Sequence, residues 1–171
     1  MNRTNNDCLP IARVVEIVAE VEAALENFYS AALERLTDEE DVRLILTQLR
    51  RSKKDKAEKV RKVCAAAACG TELTDKSSDR DLDFLSALVQ SAFYNRTGLI
   101  SELLDPALGT RHLVDNALKL ERDLMLFYIK FYAVSCDKHR PLFSELIHRS
   151  EDDLTELGNL RFRLLRAERQ N

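Results

Sequence analysis

Two glutamates pose the chemical question. Glu22 opens the run Glu22-x-x-Leu25-x-x-Phe28-Tyr29, and Glu121, 99 residues later, opens Glu121-x-x-Leu124-x-x-Phe127-Tyr128. Each glutamate sits within an apolar stripe of helical period: Val15, Val18, Glu22, Leu25, Tyr29, Ala32 in one segment, and Val114, Ala117, Glu121, Leu124, Tyr128, Phe131 in the other. A carboxylate in the middle of a core stripe is costly unless it has a partner. Two at equivalent positions imply a shared internal polar site. Facing carboxylates in such a place either bind metal cations or pair with cations of the protein itself.

Two further stripes carry polar pairs at the same level. One reads Ile45, Leu49, Lys53, Lys56, Val60, Val63. The other reads Phe143, Leu146, Ser150, Asp153, Leu157, Leu160, Leu164. Each has its polar residues at i, i+3, mid-stripe. The pattern predicts one internal cluster of Glu22, Lys53, Lys56, Glu121, Ser150 and Asp153. Tyr29 and Tyr128 are placed to hydrogen-bond the opposite carboxylates, since buried polar groups need partners. Phe131 and Tyr132 are expected to gather with them around the polar centre. The competing arrangement rotates the second segment so that both lysines snorkel into solvent.

These residues require four helices to position them. Apolar residues recur at helical period from about Pro10 to Leu36. Thr37-Asp38-Glu39-Glu40 reads as a capping box for a second helix that ends near Gly70. Thr110 caps a third helix to about Ser135, and Pro141 opens a fourth to about Arg166. Residues 71–110 form a crossover with a short helix within Leu82 to Tyr94. The first and last connections are short, so their helices are antiparallel neighbours. The expected fold is all-α: an antiparallel four-helix bundle with a long crossover between helices two and three, as in ferritin-like proteins. A single domain spans residues 1–171, with the bundle over about 10–168.

The repeat, the crossover and the Glu-x6-Tyr spacings together resemble the rubrerythrin-type branch of the ferritin-like superfamily. The resemblance covers about residues 11–160. It implies a di-iron centre in the bundle, with Glu-x6-Tyr on helices one and three and Glu-x-x-His on helices two and four. Where that family has Glu-x-x-His, this chain has Lys53 and Lys56 on helix two, and Ser150 and Asp153 on helix four. A register shifted by one residue puts Glu151 and Leu154 there instead. Neither register supplies a histidine. The family's ligands sum to four negative charges. Here three carboxylates face two ammoniums, and a protonated ammonium cannot ligate a metal. The expectation is a degenerate di-iron site in which two lysines stand where two metal ions would be. The protein is then a non-catalytic binding or structural module with no cofactor. The alternative is a ferritin-like oxidoreductase with a divergent iron site built from Glu22, Glu121 and Asp153 or Glu151. Four-cysteine iron binding of the rubredoxin kind finds no counterpart in the tail from Leu164 to Asn171.

The remaining features narrow the classes. Only 7 of 171 residues are Gly or Pro, against a usual share of roughly 12%, which leaves too few breakers for a sandwich or barrel. The net charge of −3 gives no global pull toward nucleic acid or anionic membrane. Arg50, Arg51, Lys54, Arg61 and Lys62 form a basic outer stripe on helix two. A nucleic-acid or protein contact through that face is a third reading. A solvated face explains it more cheaply, so no nucleic-acid partner is expected. No apolar run approaches the ~18 residues of a membrane span. The N-terminus lacks an apolar signal region, so a cytoplasmic protein is expected. Cys8, Cys64, Cys69 and Cys136 form no CxxC pair and are then expected as reduced thiols. His112, His139 and His148 lie off the stripes and read as surface residues. Proteins of the resembled family often pair, so a homodimer is the expected assembly. Its candidate surfaces are Phe84, Leu85, Leu88, Phe93 and Tyr94 of the crossover and the apolar start of helix one.

Overall fold

The computed structural model describes residues 11–36, 39–67 and 109–170. The expected crossover helix, the capping residues Thr37 and Asp38, the Gly70 terminus and the crossover's candidate dimer surface lie outside those residues. Four long helices are present: α1 (Ile11–Arg35), α2 (Glu40–Ala67), α3 (Gly109–Val134) and α4 (Arg140–Glu168). At 1.5 Å per residue the 28-residue α2 is about 42 Å long. No strand occurs among the described residues.

Side-chain contacts fix the helix directions. Tyr29 reaches Glu121 while Tyr128 reaches back to Glu22, so α1 and α3 run antiparallel. Lys53 meets Asp153, Lys56 meets Ser150 and Lys59 meets Glu145, so α2 and α4 also run antiparallel. Glu39, just before α2, bonds Thr110 at the start of α3, and Lys53 further along α2 bonds Glu121 further along α3, so these two run in parallel. Ala67 and Gly109 therefore lie at opposite ends of the bundle. The core between the helices is aliphatic, with buried Val18, Leu25, Leu46, Leu49, Val60, Leu124, Leu146 and Leu157. Toward the α3–α4 turn it becomes aromatic. Phe131 meets Phe127 edge-on at 4.3 Å and stacks on Phe143 at 5.5 Å.

Several local details depart from the sequence reading. Gly109, with φ +68°, begins α3. That left-handed backbone suits glycine and places Thr110 inside the helix, where its hydroxyl bonds the Glu39 carboxylate instead of capping. The α3–α4 connection is closed by backbone bonds from His139 and Arg140 to the Cys136 carbonyl. The chain reverses so tightly that His139 is buried against the bundle end rather than exposed. His112 and His148 are exposed. Cys136 is disulfide-bonded, with a partner whose side chain is outside the described ones, so the chain is not a set of four reduced thiols. Spacing along the chain could not reveal this, because without a CxxC pair it leaves the pairing of four cysteines open. Among the described residues no helix is long and apolar enough to cross a membrane.

The end of α1 is stabilised from α2. The Arg43 guanidinium donates to the Leu33 carbonyl at 2.8 Å and to the Leu36 carbonyl, two backbone acceptors at the helix C-terminus. A cation there complements the helix dipole. Arg43→Ala should lower stability by about 1 kcal/mol, measured as a shift of the urea midpoint. The charge-retaining Arg43→Lys variant should recover part of it.

Candidate functional site

The internal site lies halfway along the bundle. Glu22, Lys53, Lys56, Glu121 and Ser150 have no solvent exposure, and Asp153 retains 7%. Those values place both lysines inside and rule out the snorkelling arrangement. The basic run of helix two is divided by its own periodicity. Lys53 and Lys56 point into the core, while Arg50, Arg51 and Lys54 are exposed, as are Arg61 and Lys62 about two to three turns on.

Lys53 is the centre of the cluster. Its Nζ donates to Glu121 Oε2 at 2.5 Å and to Asp153 Oδ2 at 2.8 Å, and stands 3.8 Å from Glu22 Oε2. Lys56 Nζ donates to the same Asp153 oxygen at 2.8 Å and to Ser150 Oγ at 3.2 Å. Asp153 thus bridges two ammoniums through one oxygen. It also accepts from Ser52 Oγ, 3.1 Å from Oδ1 and 3.2 Å from Oδ2. The tyrosines complete the network in a crossed pattern. Tyr29 donates to Glu121 Oε1 at 2.7 Å, and Tyr128 donates to Glu22 Oε1. Glu22 Oε2 has no hydrogen-bond partner among the described residues.

No family model, no curated protein and no solved structure matches the chain. What the site can do follows from its own residues.

Its electrostatics are unequal by position. Burial alone lowers the Lys53 pKa, but Glu121, Glu22 and Asp153 outweigh that and hold it above the ordinary lysine value. For Lys56 the balance reverses. Burial and the neighbouring Lys53 charge outweigh its carboxylates and bring it below the ordinary value. Burial pushes Asp153 up, but the two lysines outweigh it and hold the carboxyl below its usual range. In Glu22 burial prevails over the attraction of Lys53 and Lys56, and its pKa is raised. Burial, followed by the adjacent carboxylates, raises both tyrosines well above their ordinary value. They remain neutral donors.

A divalent metal does not fit this donor set. The space between the carboxylates is taken by two N–H donors with no free lone pair, and no imidazole belongs to the cluster. Among the described residues no group of three or more His, Cys, Asp or Glu side chains could hold a metal ion. We assign no metal ligand and no catalytic residue. Glu151, from the shifted register, is exposed, and Leu154 is half-buried.

Two residues depart from expectation. Tyr132 is 40% exposed and lies under the Arg140 guanidinium, 5.8 Å from its ring centroid, away from the polar centre. It follows Phe131 by one residue, and a 100° rotation carries it off the core face. Ser52 joins the network although it lies off the stripe. Its position immediately before Lys53 puts it at the α2–α4 seam, within reach of Asp153.

Proposed function

We propose that this chain is a ferritin-like bundle of the rubrerythrin type in which a buried lysine–carboxylate network replaces the di-metal centre, and that it serves as a non-catalytic binding or structural module. The observation that carries the reading is the position of two ammoniums among four helices, with Lys53 bonded to Glu121 and Asp153 and Lys56 bonded to Asp153. The Glu-x6-Tyr repeats on α1 and α3 support the kinship. So does the pattern of helix directions, with two antiparallel hairpins joined end to opposite end. Desolvating each ion costs several kcal/mol, which close pairing offsets. The network's main contribution on this reading is to fix how the helices register.

The test is metal content. Protein purified from iron-rich medium should carry no stoichiometric iron by elemental analysis. A variant combining Lys53→Glu, Lys56→His, Ser150→Glu and Asp153→His should gain metal, because it supplies the Glu-x-x-His pairs of di-iron bundles on both helices. A di-iron complement on the natural chain would overturn the reading.

A further inference from the structure

The buried cluster holds three carboxyl groups and two ammoniums, so with every group ionised it retains one negative charge inside an aliphatic core. An uncompensated buried charge is far costlier than a neutral polar group. One proton removes it, and the hydrogen bonds identify which group takes that proton. Asp153 accepts from both ammoniums and from Ser52. Glu121 accepts from Lys53 at 2.5 Å and from Tyr29 at 2.7 Å. Among the described residues Glu22 accepts only from Tyr128, on Oε1, and its buried Oε2 has no hydrogen-bond partner. We propose that Glu22 is a proton-binding site, held in the folded protein as the neutral carboxylic acid. The inference rests on the reading that two ammoniums occupy the centre without metal.

The groups facing Glu22 agree with this from every helix. From α2, Lys53 is the nearest cation, but it lies 3.8 Å away and is bonded to Glu121 and Asp153. Lys56, also from α2, is bonded to Asp153 and Ser150. From α3 come the negative charge of Glu121 and the neutral Tyr128 hydroxyl. From α4, Asp153 draws both lysines toward itself. On α1 itself Tyr29 points at Glu121. Burial, the largest influence on Glu22, favours the neutral form over the pull of the two lysines. With Glu22 neutral, two carboxylates face two ammoniums and the cluster carries no net charge.

The pH dependence has a definite sign. In the unfolded chain Glu22 ionises in the ordinary range, near about 4.3. In the folded chain it keeps its proton to higher pH. Between those two values the folded state binds more protons, so the Glu22 contribution to stability is full below the unfolded pKa and is lost as pH rises toward the folded pKa.

The experiment uses the full chain, with metal analysis of each preparation. Infrared difference spectra of wild type against Glu22→Gln at about pH 7 should show the C=O stretch of a protonated carboxyl in the wild type and not in the variant. Glutamine mimics the neutral acid. Glu22→Gln should therefore keep a urea midpoint at or above wild type and lose the decline that wild type shows as pH rises above the ordinary carboxyl range. Glu121→Gln removes a needed charge and should lower the midpoint throughout. Absence of the protonated-carboxyl band in metal-free wild type overturns the proposal, as does a Glu22→Gln midpoint lowered as far as that of Glu121→Gln. Stoichiometric iron would overturn the ion-pair reading and this proposal with it. Ionised Glu22 in metal-free protein overturns this proposal alone.

Discussion

Lys53→Met should lower folding stability by about 3–5 kcal/mol, whereas Lys54→Met, one residue on, should change it by no more than about 0.5 kcal/mol. Methionine preserves most of the side-chain volume, so the effect is that of the lost charge. Without the Lys53 ammonium, Glu121 loses its 2.5 Å partner, and Asp153 keeps only Lys56 and Ser52. Carboxylates are then left buried with too few cations. Against a total stability of about 5–15 kcal/mol the loss is large, and urea denaturation followed by circular dichroism measures it directly. Lys54 is exposed on the outer face, which makes it the internal control. Equal losses at the two positions would mean that Lys53 has no special place in the core.

Removing the whole network should give the opposite result. A variant with Glu22→Leu, Tyr29→Phe, Lys53→Met, Lys56→Met, Glu121→Leu, Tyr128→Phe and Asp153→Leu should be as stable as the natural chain or more stable, by about 1–4 kcal/mol. Every charged or phenolic group that loses a partner is itself replaced, which leaves only the hydroxyls of Ser150 and Ser52 to find new acceptors. Ser150 lies on a helix, where its hydroxyl can turn to the preceding turn's carbonyl, and Ser52 is half-buried at the α2–α4 seam. Comparison of urea midpoints with that of Lys53→Met separates the cost of breaking the network from its net contribution. A loss as large as that of the single variant would show that the ion pairs themselves stabilise the fold. A gain in stability with broadened amide spectra would locate their role in specifying one packing.

Much of this arrangement can be read from residue spacing, and the reasons are local. The four stripes are visible because helical periodicity continues through the polar positions as well as the apolar ones, so Lys53 and Lys56 occupy places that Val60 and Leu49 define on either side. The level of the site follows from the 99-residue repeat, which puts Glu22 and Glu121 at matching heights. Other features leave no such trace. Arg43 binds backbone carbonyls, which every residue has, so nothing in the sequence marks its target. Ser52 lies on the flank of its helix and resembles any surface serine until α4 is placed beside it. The exposure of Tyr132 turns on a single helical step from Phe131. The Cys136 disulfide has no mark in the spacing of the four cysteines.

The crossed tyrosine–glutamate bonds make α1 and α3 near-equivalents, but the partners that α2 and α4 bring are of opposite sign. The first hairpin contributes both interior ammoniums, and the second contributes the two carboxylates that bind them. Two copies of the first hairpin packed face to face would set four ammoniums against only the two Glu22 carboxyls, and two copies of the second would confront four carboxylates with no cation. Either assembly is strongly penalised in a core that excludes water. Although its halves repeat one another in pattern, the bonds of Lys53 and Lys56 run only from one half to the other. An exchange of hairpins between two chains would preserve every one of these pairs, whereas self-association of like hairpins would preserve none of the bonds that Lys53 and Lys56 make.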